Sequence, residues 1–215
     1  VIGLFLALMN MSRYAWLRAP AAAYIWFFRG SPLLVQVLLL WDGLPRFTFG
    51  GNRILLSAIA CVLVAFSLNE GAYMSEIIRA AINSVDRGQM EAAKALGMRY
   101  PLAMRRIVLP QAARVIVPPL GNEFNNMLKT TSIGSVIGLY DLTGSAETLG
   151  SQTFVIFELL IVATVYYLLL TTIWTFVQRW IENRLDPDRV QVDTKLIEEK
   201  SLTQRVMGFG FGPRR

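Results

Sequence analysis

Four polar side chains recur at helical spacing inside an otherwise apolar stretch of the chain. They stand at positions i, i+3, i+4 and i+7 and are Asn122, Asn125, Asn126 and Lys129. A helix presents these three amides and one ammonium on a single face, and in a membrane such a face must meet a polar partner or a water-filled cavity. The pattern predicts either polar contacts between helices, worth about 0.6 kcal/mol each, or a substrate path in which Lys129 faces a carboxylate. Of the two, the contacts between helices are favoured.

Glu70 and Tyr73 interrupt a second apolar stretch. Burying a carboxylate at membrane depth costs at least ~2.5 kcal/mol, so Glu70 is expected to face protein, a water-filled cavity or an interface. It could accept the amino group of a substrate, or it could neutralise Lys129. We therefore add Glu70 and Tyr73 to the candidate substrate path. Glu123 and Glu158 are expected at an interface or paired within a dimer, and not as ligands.

Several kinds of chemistry are excluded by residue usage. The chain has no histidine and a single cysteine, Cys61, which rules out histidine-based acid–base catalysis, an intrachain disulfide and a multi-cysteine metal site. No nucleophile–base pair stands out, and the phosphate-binding pattern GxxxxGK[ST] is missing. We expect no catalytic residues, no metal and no cofactor bound by this chain.

The composition indicates a membrane protein. Of 215 residues, 54% are hydrophobic and only 17% charged, with a mean hydropathy of +0.45, whereas a soluble domain has about a quarter of its residues charged. The net charge of +6 could suggest nucleic acid, but the arginines are interleaved with apolar stretches and form no single patch. We expect no nucleic-acid partner and interpret the charge as a sign of membrane orientation.

Apolar stretches of sufficient length predict an all-α membrane fold with about five spans. The spans are 1–17 (interpreted as the end of a longer first span), 33–45, 54–78, 119–140 and 154–178. Residues 21–28 are expected to form an interfacial elbow, with Ser31 capping the next helix and Pro32 in its first turn. Residues 1–185 form the transmembrane domain, and residues 186–215 are expected to be a flexible tail.

The basic residues are distributed very unequally between the two sides of these spans. One side receives only Arg46 and Arg53. The other receives Arg13, Arg18, Arg29, Arg79, Arg87, Lys94, Arg99, Arg105, Arg106, Arg114 and every basic residue from Arg179 onward. By the positive-inside rule, the loop at residues 84–110 and the C-terminus are cytoplasmic in a multi-pass protein of the cell inner membrane.

The cytoplasmic loop has a strong helical pattern of its own. Residues 90–96 are rich in alanine, and Gly97 fits the left-handed position just past a helix end. Pro101 is expected to open a second short helix carrying Arg105 and Arg106, and Pro110 a third. Pro118-Pro119 is expected to break that third helix and restart the chain.

The loop reads Glu91-Ala-Ala, three residues, Gly97, nine residues, Ile107, one residue, Leu109-Pro110. This spacing resembles the EAA signature of ABC importer permeases. Five further segments resemble the polar amino acid branch of that family, and the likeness covers residues 25–187. The segments are RGSPLLVQ from Arg29, GAYMSE from Gly71, GQMEAA from Gly88, LPQA from Leu109 and KTTS from Lys129. The last departs from the Lys-Asp-Thr-Ser that the family often shows, and leaves Lys129 without one local carboxylate.

The resemblance implies a type I ABC importer permease fold and the membrane-spanning subunit of an ATP-driven, binding-protein-dependent amino acid importer. It implies four kinds of partner: a second permease, identical or paralogous, two ATPase subunits that hold ATP and Mg, an extracytoplasmic amino-acid-binding protein and the amino acid itself. Transport would proceed by alternating access in the lipid membrane. It also implies a coupling helix that contacts an ATPase, with the residues Gly88, Glu91, Ala92, Ala93, Leu96, Gly97, Arg105 and Arg106.

Two other functions are kept as alternatives. The first is a permease for peptides or metal–ligand complexes. The second is a stand-alone channel or secondary carrier, which would work without an ATPase and would be expected to contain a second repeat; the sequence shows no such repeat.

Overall fold

The computed structural model describes residues 1–185, so the predicted tail at 186–215 lies outside the described residues. The chain divides into two compact units, Val1–Trp174 and Thr175–Arg215. The α-helices are α1 (Ile2–Asn10), α2 (Ala15–Gly30), α3 (Leu33–Leu38), α4 (Ala58–Ser84), α5 (Arg87–Ala95), α6 (Tyr100–Ala103), α7 (Leu109–Thr130), α8 (Leu142–Thr153) and α9 (Ile156–Leu185). The segments Leu39–Gly43 and Met104–Val108 are π-helical, and Leu44–Arg46 and Thr131–Ile137 are 3₁₀-helical.

The helix α4 is the element on which the first unit is assembled, because α1, α2, α3 and α7 all contact it. It begins at Ser57, whose Oγ accepts a hydrogen bond from the Ala60 N–H at 3.3 Å. Its contact with α1 depends on glycine. A Cβ on Gly71 would lie 2.5 Å from Ile2 Cγ2, and a Cβ on Gly3 would lie 2.5 Å from Met74 Cβ. The two helices therefore approach more closely than any larger residue would allow.

The chain between α2 and α3 bends by 103°. The predicted elbow at residues 21–28 is wrong in extent, because α2 is a helix of 16 residues whose Ala21 and Ile25 are buried. The predicted cap is also displaced. Ser31 ends α2, since its N–H and its Oγ both donate to the Phe27 carbonyl, and Pro32 precedes α3. A serine at a helix junction can bond to either side, and here its Oγ donates to the Phe27 carbonyl of α2 and accepts a hydrogen bond from Gln36 Nε2 of α3.

The prediction that Pro118-Pro119 breaks the third loop helix is wrong. The helix α7 runs without interruption from Leu109 to Thr130 with both prolines inside it. Proline removes one backbone donor and does not force a helix to end when neighbouring helices of a membrane protein satisfy the freed groups. Beyond Thr130 the chain tightens into 3₁₀ geometry and stops at Gly138, which has φ +76°.

Within residues 1–185, two helices are long and apolar enough to cross a membrane, α4 and α9, and the bent pair Ala15–Gly30 and Leu33–Arg46 would make a third if it is one broken span. The count of about five spans stays a prediction. Between α3 and α4 lies a short antiparallel pair, β1 (Thr48–Phe49) and β2 (Asn52–Arg53). The described part of the second unit is the end of α9, where the Arg184 guanidinium lies 4.5 Å from the centre of the Trp180 ring.

Candidate functional site

The loop helix α5 starts and is anchored by its own sequence. Asp86 precedes it and accepts a hydrogen bond from the Gly88 N–H through Oδ1 at 2.7 Å, which is the geometry of an N-cap. Ala93 is buried, and Met90 packs against an apolar cluster at the ends of α4 and α7. The buried members of that cluster are Ala81, Ile82, Val108 and Ala112. The helix α5 thus packs against the ends of the longer helices α4 and α7.

The end of α5 is a Schellman motif centred on Gly97. Gly97 has φ +76°, its N–H donates to the Lys94 carbonyl at 2.9 Å, and the Met98 N–H donates to the Ala93 carbonyl at 3.0 Å. This pair of hydrogen bonds requires a residue in the left-handed backbone conformation, which only glycine adopts freely. The left-handed helix end predicted from the sequence at Gly97 is present in the structure.

The predicted coupling residues divide by exposure. Ala93 is buried and holds α5 against the rest of the chain, whereas the remaining members are exposed. Leu96 is 82% exposed, an unusual value for a leucine. Within the described residues, Glu91 makes no hydrogen bond or ion pair, and Arg105 and Arg106 project from the exposed side of the π-helical turn. The helix therefore offers one anchored face and one free face.

A cavity of about 440 Å³ lies between the loop and the ends of α1 and α4. Its wall combines apolar and polar residues: Met11, Ile82, Asn83, Val85, Asp86, Arg87, Met90, Tyr100, Met104 and Val108. The first turn of α5 is therefore only loosely packed where it faces this cavity, which leaves room for the loop to shift against the membrane-spanning helices.

The polar stripe on α7 does not point uniformly into the chain. Asn122, Asn126 and Lys129 are exposed, whereas the Oδ1 atom of Asn125 is buried and has no hydrogen-bond partner. The exposed side chains of Asn126 and Lys129 lie where another chain can contact them, and the amide oxygen of Asn125 points into the described structure.

Glu70 lies on α4 beside a second carboxyl, that of Glu123 on α7. Its Oε2 atom is buried without a hydrogen-bond partner. Glu70 and Lys129 make no ion pair within residues 1–185. Both alternatives for Glu70, acceptance of a substrate amino group and neutralisation of Lys129, stay predictions. The prediction that Glu123 lies at an interface or in a dimer contact missed this neighbour, since Glu123 falls one residue away from the stripe and its partner lies on another helix.

Tyr73 belongs to an ionic cluster that joins α2 to α4. The Arg79 guanidinium binds the Glu76 carboxylate through two hydrogen bonds of 3.0 and 2.8 Å, and Arg29 Nη1 lies 3.5 Å from the same carboxylate. The Arg29 guanidinium also lies 5.3 Å from the centre of the Tyr73 ring. The structure thus places Tyr73 beside a cation of its own chain.

A buried amide network, which the sequence analysis did not single out, closes the bend between α2 and α3. Gln36 Nε2 donates to the Phe28 carbonyl at 3.0 Å and to Ser31 Oγ at 2.9 Å. Asn69 Nδ2 donates to the same Phe28 carbonyl at 2.8 Å and to Gln36 Oε1 at 3.2 Å. Both side chains are buried. The sequence feature that could have identified Gln36 and Asn69 is that both are polar residues within apolar stretches.

We expect Asn69→Leu and Gln36→Leu each to lower the free energy of unfolding by about 1–3 kcal/mol, because each leaves a buried polar partner unsatisfied. The double variant should lose less than the sum, since it removes both partners together. Thermal unfolding in detergent, followed by tryptophan fluorescence, measures the effect. Gln111→Leu is the control, because Gln111 donates one hydrogen bond to the Ile107 carbonyl from an exposed position. Equal losses in Gln111→Leu would contradict the assignment.

No three His, Cys, Asp or Glu side chains come together as a set of metal ligands within residues 1–185.

Comparison with known proteins gives a consistent result. Residues 1–187 match the family model described as binding-protein-dependent transport system inner membrane component. The chain is 39% identical over 184 residues to the probable amino-acid ABC transporter permease protein YckA of Bacillus subtilis (strain 168), covering 86% of this chain and 79% of that protein. It is 42% identical over 193 residues to the octopine transport system permease protein OccM of Rhizobium meliloti, covering 88% and 79%.

A solved structure is also similar. It is described as the crystal structure of an amino acid ABC transporter with histidines, and it is 44% identical, with a TM-score of 0.79 over 85% of this chain and 83% of that one.

Proposed function

Because this chain belongs to the family of binding-protein-dependent transport system inner membrane components, we propose that α5 is the lever through which partner ATPase subunits drive its transport cycle. The chain is a membrane-spanning permease subunit of an ABC importer with the type I importer permease fold. Its sequence has no GxxxxGK[ST], so the ATP and Mg are assigned to the partner subunits.

The division of α5 into two faces carries this proposal. Glu91, Ala92 and Leu96 are exposed, while Ala93 is buried and Met90 packs against the apolar cluster at the ends of α4 and α7. A force applied to the free face is therefore transmitted to the membrane-spanning helices through the apolar cluster. Glu91 is available for a charge-assisted hydrogen bond to an ATPase arginine or lysine, and Leu96 for an apolar pocket.

We assign an amino acid as the substrate, because one of the relatives described above is named as an amino-acid ABC transporter permease and the other as an octopine transport permease. The proposed path lies between α4 and α7. Glu70 Oε2 and Asn125 Oδ1 are each buried without a hydrogen-bond partner, and each can accept a hydrogen bond from a polar group of the substrate. The exposed Asn126 and Lys129 would line the same path from the side where a second permease subunit packs.

The assembly proposed is the one that the family implies. It contains two permease subunits, two ATPase subunits and an extracytoplasmic binding protein. The loop at residues 84–110 and the C-terminus face the cytoplasm, with residues 1–185 in the cytoplasmic (inner) membrane. Peptides or metal–ligand complexes remain the alternative substrates, and a stand-alone channel or carrier the alternative mechanism.

Co-purification from mild detergent tests the assembly. The tagged permease is expected to bring down its ATPase subunits, and proteoliposomes holding the complex should accumulate radiolabelled amino acid only with ATP and the binding protein present. Uptake by the permease alone, down a gradient and without an associated ATPase, would establish the channel or carrier alternative instead.

For the proposed path, we expect Glu70→Gln to raise the KM for uptake by about tenfold, because hydrogen bonds to charged groups contribute on that scale. Arginine and glutamine serve as probes, and the amount of co-purified ATPase should not change. Glu147→Gln, an exposed carboxylate on α8, is the control. If Glu70→Gln leaves KM unchanged for every transported amino acid, Glu70 is not on the path.

A further inference from the structure

The chain turns between α1 and α2 through a corner that is both basic and aromatic; we call residues 11–18 the basic corner. Ser12 Oγ accepts the Tyr14 N–H at 3.2 Å and so fixes the turn. Arg13 Nη2 donates to the Tyr14 hydroxyl at 2.6 Å, and the guanidinium lies 4.7 Å from the centre of the Tyr14 ring. The Tyr14 and Trp16 ring centres are 6.3 Å apart. Arg13 is thus held in place by Tyr14, whose ring lies beside that of Trp16.

The second arginine of the corner follows one helical turn later. The Arg18 N–H donates to the Tyr14 carbonyl at 3.1 Å in the first turn of α2. Both arginines are exposed. The basic corner therefore carries two exposed guanidinium groups, one on each side of Tyr14 in the sequence.

No negative charge of the nearby chain neutralises these arginines. The first acidic residue in the sequence is Asp42, and neither Arg13 nor Arg18 makes an ion pair within residues 1–185. Arg29, the third arginine of this segment, differs because Glu76 lies 3.5 Å from it. The basic corner is a patch of uncompensated positive charge.

An exposed apolar helix face runs directly into this patch. Leu4, Phe5 and Leu8 of α1 are between 51% and 63% exposed, and Trp16 is 71% exposed. A membrane protein presents such a face to acyl chains, and its aromatic residues to the headgroup region. The exposed apolar face of α1 is followed along the chain by arginines and aromatic rings that alternate, in the order Arg13, Tyr14, Trp16 and Arg18. Acyl chains and a charged headgroup are adjacent in a phospholipid in the same way.

We propose that the basic corner binds an anionic phospholipid, with its phosphate held between the guanidinium groups of Arg13 and Arg18. Guanidinium groups bind phosphate through paired hydrogen bonds, and the rings of Tyr14 and Trp16 lie beside the glycerol and the upper acyl chain. The adjoining apolar face favours a lipid over a nucleic acid or a free anion. This site does not depend on the identity of the transported solute or on the ATPase contact.

Native mass spectrometry of the complete transporter, titrated with phosphatidylglycerol or phosphatidylcholine, tests the proposal. We expect phosphatidylglycerol to be retained in preference to phosphatidylcholine. Arg13→Gln and Arg18→Gln should each weaken retention by about fivefold, the effect of one arginine near an anionic membrane surface. Arg46→Gln and Arg53→Gln, which remove two exposed arginines far away in the sequence, should leave it unchanged.

Two further measurements guard against a folding artefact and locate the lipid. The double variant Arg13→Lys, Arg18→Lys keeps both charges and should restore most of the retention. The fluorescence of Trp16 is obtained as the difference between the parent and Trp16→Phe, and that of Trp26, another exposed tryptophan of α2, as the difference between the parent and Trp26→Phe. Brominated phosphatidylglycerol should quench the Trp16 fluorescence more strongly than the Trp26 fluorescence. Equal retention of the two lipids, equal effects of the two arginine pairs, or displacement of the lipid by glycerol 3-phosphate alone would each overturn the proposal.

Discussion

Replacing Gly97 with valine is expected to abolish ATP-driven uptake and to release the ATPase subunits, while the permease still accumulates in the membrane. Gly97 has φ +76°, a conformation that costs an ordinary residue about 1–2 kcal/mol and a β-branched residue more. Relief of that strain requires the chain to leave the left-handed region. The two hydrogen bonds that end α5 would then be lost, and Leu96 would be displaced with them.

The geometry at Gly97 makes this result interpretable. A Cβ built on Gly97 meets nothing within 4 Å, so a loss of function reports the backbone and not a steric clash. Gly97→Asn should retain most activity, because asparagine tolerates the left-handed region. Gly50→Val is the matched control, with φ +61° and nothing within 4 Å of its Cβ, but in the loop before α4. Normal ATPase binding and uptake in Gly97→Val would contradict the proposed role of the helix end.

Reversing the charge of Glu91 is the second change with a large expected effect. Glu91→Lys should reduce co-purified ATPase and ATP-driven uptake by at least about tenfold, because truncating or opposing one member of a charge pair at an interface costs several kcal/mol. The thermal unfolding temperature of the permease should not change. Glu91 is exposed and has no partner within the described residues, and substitutions at such positions usually alter stability by less than about 0.5 kcal/mol.

Glu147→Lys makes the matched comparison for Glu91→Lys. It reverses an exposed carboxylate on α8, and it should preserve both ATPase binding and uptake. If the two variants behave alike, the effect of Glu91→Lys is one of net charge. If Glu91→Lys binds ATPase normally, the free face of α5 is not the contact.

The helix end predicted at Gly97 is a local feature. Gly97 ends α5, and Asp86 caps it, through hydrogen bonds between residues separated by no more than five positions. Bonds of this kind depend on which residue occupies which position, and hardly on the rest of the fold. The family resemblance rests on the same stretch, and the family match confirmed it.

The wrong predictions concern places where the sequence allowed more than one outcome. Pro118-Pro119 suggested a break that membrane packing does not require, and Ser31 could bond to the helix before it or to the helix after it. The sequence did not predict the neighbour of Glu70, which the structure places beside Glu123 on another helix. In these cases the neighbouring helices, which the sequence does not specify, decide the outcome.

The sequence by itself determined that this protein lies in a membrane and belongs with the importer permeases, and it predicts a cytoplasmic position for the basic loop, because hydropathy, charge placement and the spacing of the loop residues are one-dimensional properties. The tertiary structure alone decided that Ala93 is buried while Glu91 and Leu96 on the same loop are exposed, that Gln36 and Asn69 close the α2–α3 bend, and that Arg13 and Arg18 make no ion pair within residues 1–185. These are properties of exposure and of distance between side chains, and they exist only once the helices have packed.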